Sequence, residues 1–252
     1  PYFVMYKHLA KLLGAKPVFV DTYPDFQISA EKIEPLIGPR TKMIVLNSPS
    51  NPTGAVIREN ALKDIAILAK QKNILVLSDE IYDAFSYDRP CPSIARYLDN
   101  TLLLSGFSKT YAMTGWRIGY AAGPSSVIQA MTKLQQYTFV CAPSIAQKMA
   151  LEALKTDITS YIDDYRTKRD LIYHGLKDHF NVVKPEGAFY VFPEAPGRNA
   201  EAFVNKAIAN NVLIIPGNVF SEKNTHFRIS FAADHDTIQK GIDILINIAH
   251  DK

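Results

Sequence analysis

Cysteine is scarce in this chain and long apolar runs are missing. Cys91 and Cys141 are the only cysteines, and nothing in their spacing pairs them as metal ligands. Two thiols in 252 residues are no disulfide framework either. Both read as free thiols in a reducing compartment, so the expected location is cytoplasmic. No window reaches the roughly 18 apolar residues that a membrane helix needs. Charge of one sign is not in excess, because 28 Lys and Arg stand against 25 Asp and Glu, giving a net charge of +3. No basic stripe suits nucleic acid, and no basic amphipathic run suits a membrane surface. The 6 histidines show no ligand spacing, so no metal is expected. There is no internal repeat, no low-complexity tract and no signal peptide. The chain opens at Pro1 rather than Met and runs straight into Tyr2-Phe3-Val4-Met5-Tyr6, which reads as the interior of a longer protein. What is present is ordinary globular composition, 47% hydrophobic and 21% charged. Any chemistry has to be found residue by residue.

The first half alternates short apolar runs with helical patterns. The runs are Pro17–Val20, Met43–Leu46, Ile74–Leu77, Leu102–Leu104 and Ile118–Ala121. Between two of them, Asn60–Lys72 places Leu62, Ile65, Ala66 and Ala69 on one helical face. Runs of Val, Ile and Leu with little alternation suit strands buried on both faces. Strand–helix–strand repetition predicts an α/β fold with a mostly parallel, doubly wound sheet. From about Ser125 two long helical stretches follow, 125–154 and 158–179. Short strands are then expected near Val182–Val183, Phe189–Phe192, Val212–Ile215 and Phe227–Phe231, with helices near Ala200–Asn210 and Asp234–Ala249. This pattern predicts a large domain over 1–150 and a smaller α+β domain over 151–252.

Ligands of open parallel sheets sit outside the carboxyl ends of the strands. After Met43–Leu46 comes Asn47-Ser48-Pro49-Ser50-Asn51-Pro52-Thr53-Gly54. After Ile74–Leu77 comes Ser78-Asp79-Glu80-Ile81-Tyr82. After Leu102–Leu104 comes Ser105-Gly106-Phe107-Ser108-Lys109. Three strands thus deliver an amide, a carboxylate with a phenol, and a hydroxyl with an amine to one edge. Taken singly, these are a turn, a helix cap and a surface lysine. Taken together, they lack a Ser-His-Asp set and metal ligands, and they match the needs of an aldehyde cofactor with a pyridine ring and a phosphate.

Ser50-Asn51-Pro52-Thr53-Gly54, Asp79-Glu80-Ile81-Tyr82 and the long run Ser108-Lys109-Thr110-Tyr111-Ala112-Met113-Thr114-Gly115-Trp116-Arg117-Ile118-Gly119-Tyr120 resemble the signature of class I/II aminotransferases of fold type I. The likeness continues through Pro185–Tyr190, Pro216–Phe220 and Phe227–Ser230, so it covers essentially the whole chain. It implies pyridoxal 5'-phosphate as cofactor, a large cofactor-binding domain that is incomplete at its amino end, and a homodimer for the full-length protein. A glycine-rich phosphate turn, which the family carries ahead of the segment matching Pro1, is expected to lie outside this chain.

Within that resemblance the catalytic residues are Lys109, Asp79 and Tyr82. Lys109 forms a Schiff base with the cofactor aldehyde and, once displaced by substrate, moves the α-proton. Asp79 keeps the ring nitrogen protonated, so that the ring can draw electrons. Tyr82 and Asn51 stabilise the ring's phenolic oxygen. Ser108 and Arg117 hold the phosphate, for which the arginine fork is suited. Phe3 stacks on the ring and lines the substrate site. Asn51 and Arg228 bind the substrate α-carboxylate. Glu80 reads as structural. The Asn51–Pro52 peptide bond is expected to be cis.

The implied reaction is transamination between an L-amino acid and a 2-oxo acid, with aspartate and 2-oxoglutarate as the favoured pair. A carbon–sulfur β-lyase on the same fold, and a cofactor-binding sensor domain of a transcription regulator, remain alternatives. Residues upstream of Pro1 would separate them.

Overall fold

The computed structural model describes residues 1–250. They form two compact units. One takes residues 28–49 and 57–160. The other takes 1–27, 50–56 and the chain from Tyr161 on. The chain therefore passes between units four times, whereas the pattern suggested a single boundary at residue 150.

In the first unit, β1 (Met43–Asn47), β2 (Leu75–Asp79), β3 (Thr101–Gly106) and β4 (Gly119–Ala122) make one sheet in the order β1-β2-β3-β4. The first three are parallel and β4 runs antiparallel at the edge. Register sets Asn47 opposite Asp79, so β1 and β2 end side by side, and sets Asp79 opposite Leu104, two residues before β3 ends. The crossover from β1 to β2 contains the helix Glu59–Gln71. Its buried face is Leu62, Ile65, Ala66, Leu68 and Ala69, one residue wider than the periodicity predicts. Each large apolar side chain buried there contributes about 1.5–3 kcal/mol. Glu59 in the first turn and Lys70 in the last complement the helix dipole.

The stretch expected as one helix over 125–154 is two, Ser125–Gln136 and Ser144–Ala153. Pro143 caps the second. A proline in mid-helix removes an N–H and clashes with the preceding turn, so a continuous helix was excluded by a residue already visible in the sequence. The junction leaves Leu134, Tyr137, Phe139 and Ile145 exposed.

The second unit holds a three-stranded antiparallel sheet in the order β5-β7-β6, with β5 Tyr190–Val191, β6 Ile215–Pro216 and β7 Phe227–Ser230. Its long helices are Val4–Leu12, Thr159–Leu176, Ala200–Ala209 and His235–His250. Asn199 caps the third by accepting from the Ala202 N–H, and Asp234 Oδ1 accepts from the Thr237 N–H where the last begins. Strands expected at Pro17–Val20 and Val182–Val183 are irregular. Phe19 stacks instead on Tyr2 at 4.2 Å, and Val183 packs on a cluster of Phe26, Ala55, Phe192 and Phe220. A short apolar run becomes a strand only where a neighbouring backbone pairs with it. Asn51–Pro52 is cis, as are Tyr23–Pro24 and Ser48–Pro49.

Candidate active site

The sheet unit carries one group of candidate residues. Asp79 closes β2 and is buried, with Oδ1 accepting from the Ile81 N–H at 3.3 Å. Its backbone carbonyl accepts from Asn47 Nδ2 at 3.2 Å and from the Ser48 N–H at 3.1 Å, tying the ends of β1 and β2 together. Tyr82 follows in a turn and is also buried. Ser108 and Lys109 are half-buried just past β3, in a turn where the Ala112 N–H donates to the Lys109 carbonyl. The Lys109 ammonium lies 6.0 Å from the centre of the Tyr82 ring. Thus an amine that follows β3 lies over the ring of a phenol that follows β2, the strand that ends at Asp79. Arg117 is exposed and left-handed, with φ 50, and its Nη1 donates to the Thr114 carbonyl at 2.8 Å.

Glu80 takes a separate role. Its side chain accepts from Ser78 Oγ and Ser93 Oγ, both at 2.7 Å, and so ties β2 to the 91–94 segment. Burial pushes its carboxyl up, against the two hydroxyls, and the Asp83 and Asp79 charges add to the rise. It serves the scaffold, in line with the sequence reading.

The other unit carries the second group. Arg228 on β7 donates from Nη1 to Asn51 Oδ1 at 2.9 Å. With Oδ1 on a guanidinium, the opposite end of the Asn51 amide is a donor. Asn51 is buried within the loop 50–56, where the Gly54 N–H donates to the Ser50 carbonyl and the Ser50 N–H to Ala55. Gly54 has φ +71, and a Cβ there would stand 2.5 Å from Pro185 Cβ and 2.8 Å from the Tyr190 carbonyl oxygen. Its own carbonyl accepts from the Glu186 and Gly187 N–H groups. Only glycine permits this approach, so Gly54 is what docks the Asn51 loop on the segment 185–190. Phe3 precedes the first helix, half-buried, with its ring edge-on to Tyr6 at 6.1 Å.

Two aromatic residues beside Arg228 were given no role by sequence reasoning. The rings of Tyr190 and Phe220 lie 4.6 and 4.5 Å from its guanidinium carbon. Both stand in segments that carry the family resemblance, which was the available signal.

The family model for aminotransferase class I and II matches residues 1–245. The chain belongs to that family. It is 40% identical to a probable aspartate aminotransferase of Methanocaldococcus jannaschii, over 98% of this chain and 69% of that protein. It is 42% identical to a probable N-acetyl-LL-diaminopimelate aminotransferase of Bacillus subtilis, over 97% of this chain and 65% of that protein. The structure superposes on a double mutant of Thermus thermophilus aspartate aminotransferase with a TM-score of 0.94 at 33% identity, covering 98% of this chain and 68% of that one. The chain thus spans about two thirds of the length of these relatives. Class I/II aminotransferases of this type use pyridoxal phosphate. Among the described residues no helix is long and apolar enough to cross a membrane, and no cluster of three His, Cys, Asp or Glu could hold a metal ion.

Proposed function

We propose that this chain carries the chemistry of a pyridoxal-phosphate-dependent aminotransferase, exchanging amino groups between an L-amino acid and a 2-oxo acid, with aspartate and 2-oxoglutarate as the pair. The observation that carries this reading is Lys109, half-buried past β3 with its ammonium over the Tyr82 ring, one strand away from the buried end of β2 at Asp79. The donor set fits the cofactor: an amine for its aldehyde, an anion for its ring nitrogen and a phenol for its ring oxygen.

When bound, the cofactor supplies an electron sink for the carbanion left at the substrate α-carbon. The rest is done by the protein. Lys109 would anchor the aldehyde and would be the base that moves the α-proton. Asp79 would hold a proton on the ring nitrogen. By the family resemblance, Tyr82 and Asn51 would serve the ring oxygen, Ser108 and Arg117 the phosphate, and Phe3 the ring face. Arg228 binds the α-carboxylate, which every donor and acceptor shares. Two half-reactions use one set of residues, so the kinetics are ping-pong. The exposed apolar side chains between Leu134 and Ile145 support a homodimer, since surfaces of that kind associate. A reducing, cytoplasmic setting is part of the same reading.

The test is reduction of the holoenzyme with borohydride followed by peptide mapping. The expected label is on Lys109, and a label on another lysine refutes the assignment. Comparing kcat/KM for aspartate with that for N-acetyl-diaminopimelate and aromatic amino acids decides the substrate pair.

A further inference from the structure

Arg228 is held by two aromatic faces and an amide oxygen. Its guanidinium carbon lies over the Tyr190 ring at 4.6 Å and over the Phe220 ring at 4.5 Å. Tyr190 comes from β5, which pairs directly with β7, and Phe220 follows the helical turn Gly217–Val219. Both rings are buried, at 7% and 2% exposure. An aromatic face attracts a cation and keeps water off it. It competes little for the N–H donors, which lie in the plane of the guanidinium. A carboxylate in the same place would take those donors away from a substrate.

The rings are themselves fixed. Phe220 packs with Phe26, Ala55 and Phe192. The Tyr190 ring lies tilted on Phe189 at 4.9 Å, and its carbonyl is the oxygen that Gly54 approaches. The same Gly54 loop carries Asn51, whose Oδ1 receives one Arg228 N–H. Ring positions and hydrogen-bond acceptor thus share one support.

We propose that Tyr190 and Phe220 are positioning residues for Arg228, their ring faces fixing its guanidinium in the orientation that meets the α-carboxylate of every substrate. This rests on the reading of Arg228 as the carboxylate-binding residue. The rings touch the arginine and not the reacting atoms, so their loss acts on binding more than on turnover.

The experiment measures, in the holoenzyme, the dissociation constant of a 2-methyl amino acid, which carries the carboxylate but has no α-hydrogen to lose. Binding is followed by the change in cofactor absorbance, and KM and kcat are measured for an amino acid and an oxo acid. Tyr190→Leu and Phe220→Leu are expected to weaken binding about tenfold, with KM rising for both substrate classes and kcat falling less than about threefold. Tyr190→Phe keeps the ring face and is expected to restore binding to within about twofold. Arg228→Lys is the control. If it weakens binding while both leucine variants bind normally, the positioning role is wrong and the reading of Arg228 stands. If Arg228→Lys also binds normally, the reading of Arg228 itself fails, and the positioning role with it. Equal loss in Tyr190→Phe and Tyr190→Leu overturns the proposal as well, because the hydroxyl rather than the ring face would then matter. Phe220 is a core residue, so if Phe220→Leu melts without cooperativity the Tyr190 pair decides alone.

Discussion

Asp79, Tyr82 and Lys109 each stand at or a few residues beyond the end of a parallel strand, whereas Asn51 and Arg228 meet across 177 positions in the other unit. The first arrangement is local. A parallel strand delivers whatever follows it to the carboxyl edge, and register brings neighbouring ends level. The second depends on a loop, a glycine and two rings drawn from separate parts of the chain. A site built in the first way tolerates much change in packing, while one built in the second depends on its supports.

The largest expected effect falls on the sheet edge. Lys109→Ala should lower turnover by about four powers of ten or more if Lys109 is both anchor and base, as proposed. Single-turnover kinetics with amino acid measures this, and near-normal rates would end the comparison. Asp79→Ala should cost about three powers of ten in the α-proton step while cofactor stays bound, because the proposed role of Asp79 is to supply the charge that keeps the ring nitrogen protonated. Retained turnover with unchanged absorbance would remove Asp79 from the site.

Arg228→Lys is expected to raise KM by about ten- to a hundredfold for every amino and oxo acid, with a smaller change in kcat, because lysine lacks the planar fork. A loss confined to one side-chain class would mean that Arg228 reads side chains. Support for the Arg228 group is tested by Gly54→Ala. The positive φ and the 2.5 Å approach to Pro185 predict a loss of about 2–3 kcal/mol in denaturant unfolding, far more than an exposed glycine would show.

An effect of similar size, but seen only in acid, concerns His226, in the same unit. Its ring stacks on Phe192 at 5.2 Å and meets Tyr23 and Phe26 edge-on. Burial pushes its pKa down from 6.5 to about 4. The folded state therefore binds this proton less tightly than the unfolded state. The penalty from this one group is absent above pH 6.5 and is expected to grow as pH falls toward 4, to about 3 kcal/mol. Urea unfolding at pH 7 and pH 4.5 should show this loss of stability, and His226→Gln should flatten it.

The helical face of residues 59–71, the three parallel strands and the strand-end motifs were all legible, because periodicity and strand order are properties of neighbouring residues. The Pro17–Val20 and Val182–Val183 runs were misread for the same reason. Their apolar character was visible but the absence of a pairing backbone was not. The assignment of 50–56 to the same unit as the carboxyl-terminal part was equally hidden. It follows from Gly54 lying against Pro185, Gly187 and Tyr190, a steric fact with no counterpart in composition.

By itself, the sequence determined the alternation of strand and helix, the chemistry placed at the end of each parallel strand and membership of the aminotransferase family. These are decided by local pattern, since a strand end is reached within a few residues of the run that makes it. Only the tertiary structure decided that Glu80 faces two serine hydroxyls, that Arg228 rests over Tyr190 and Phe220, and that Asn51 turns its oxygen toward that cation. Those contacts join segments far apart in the chain. Which side chains meet there is set by packing and by the close approach that a single glycine allows.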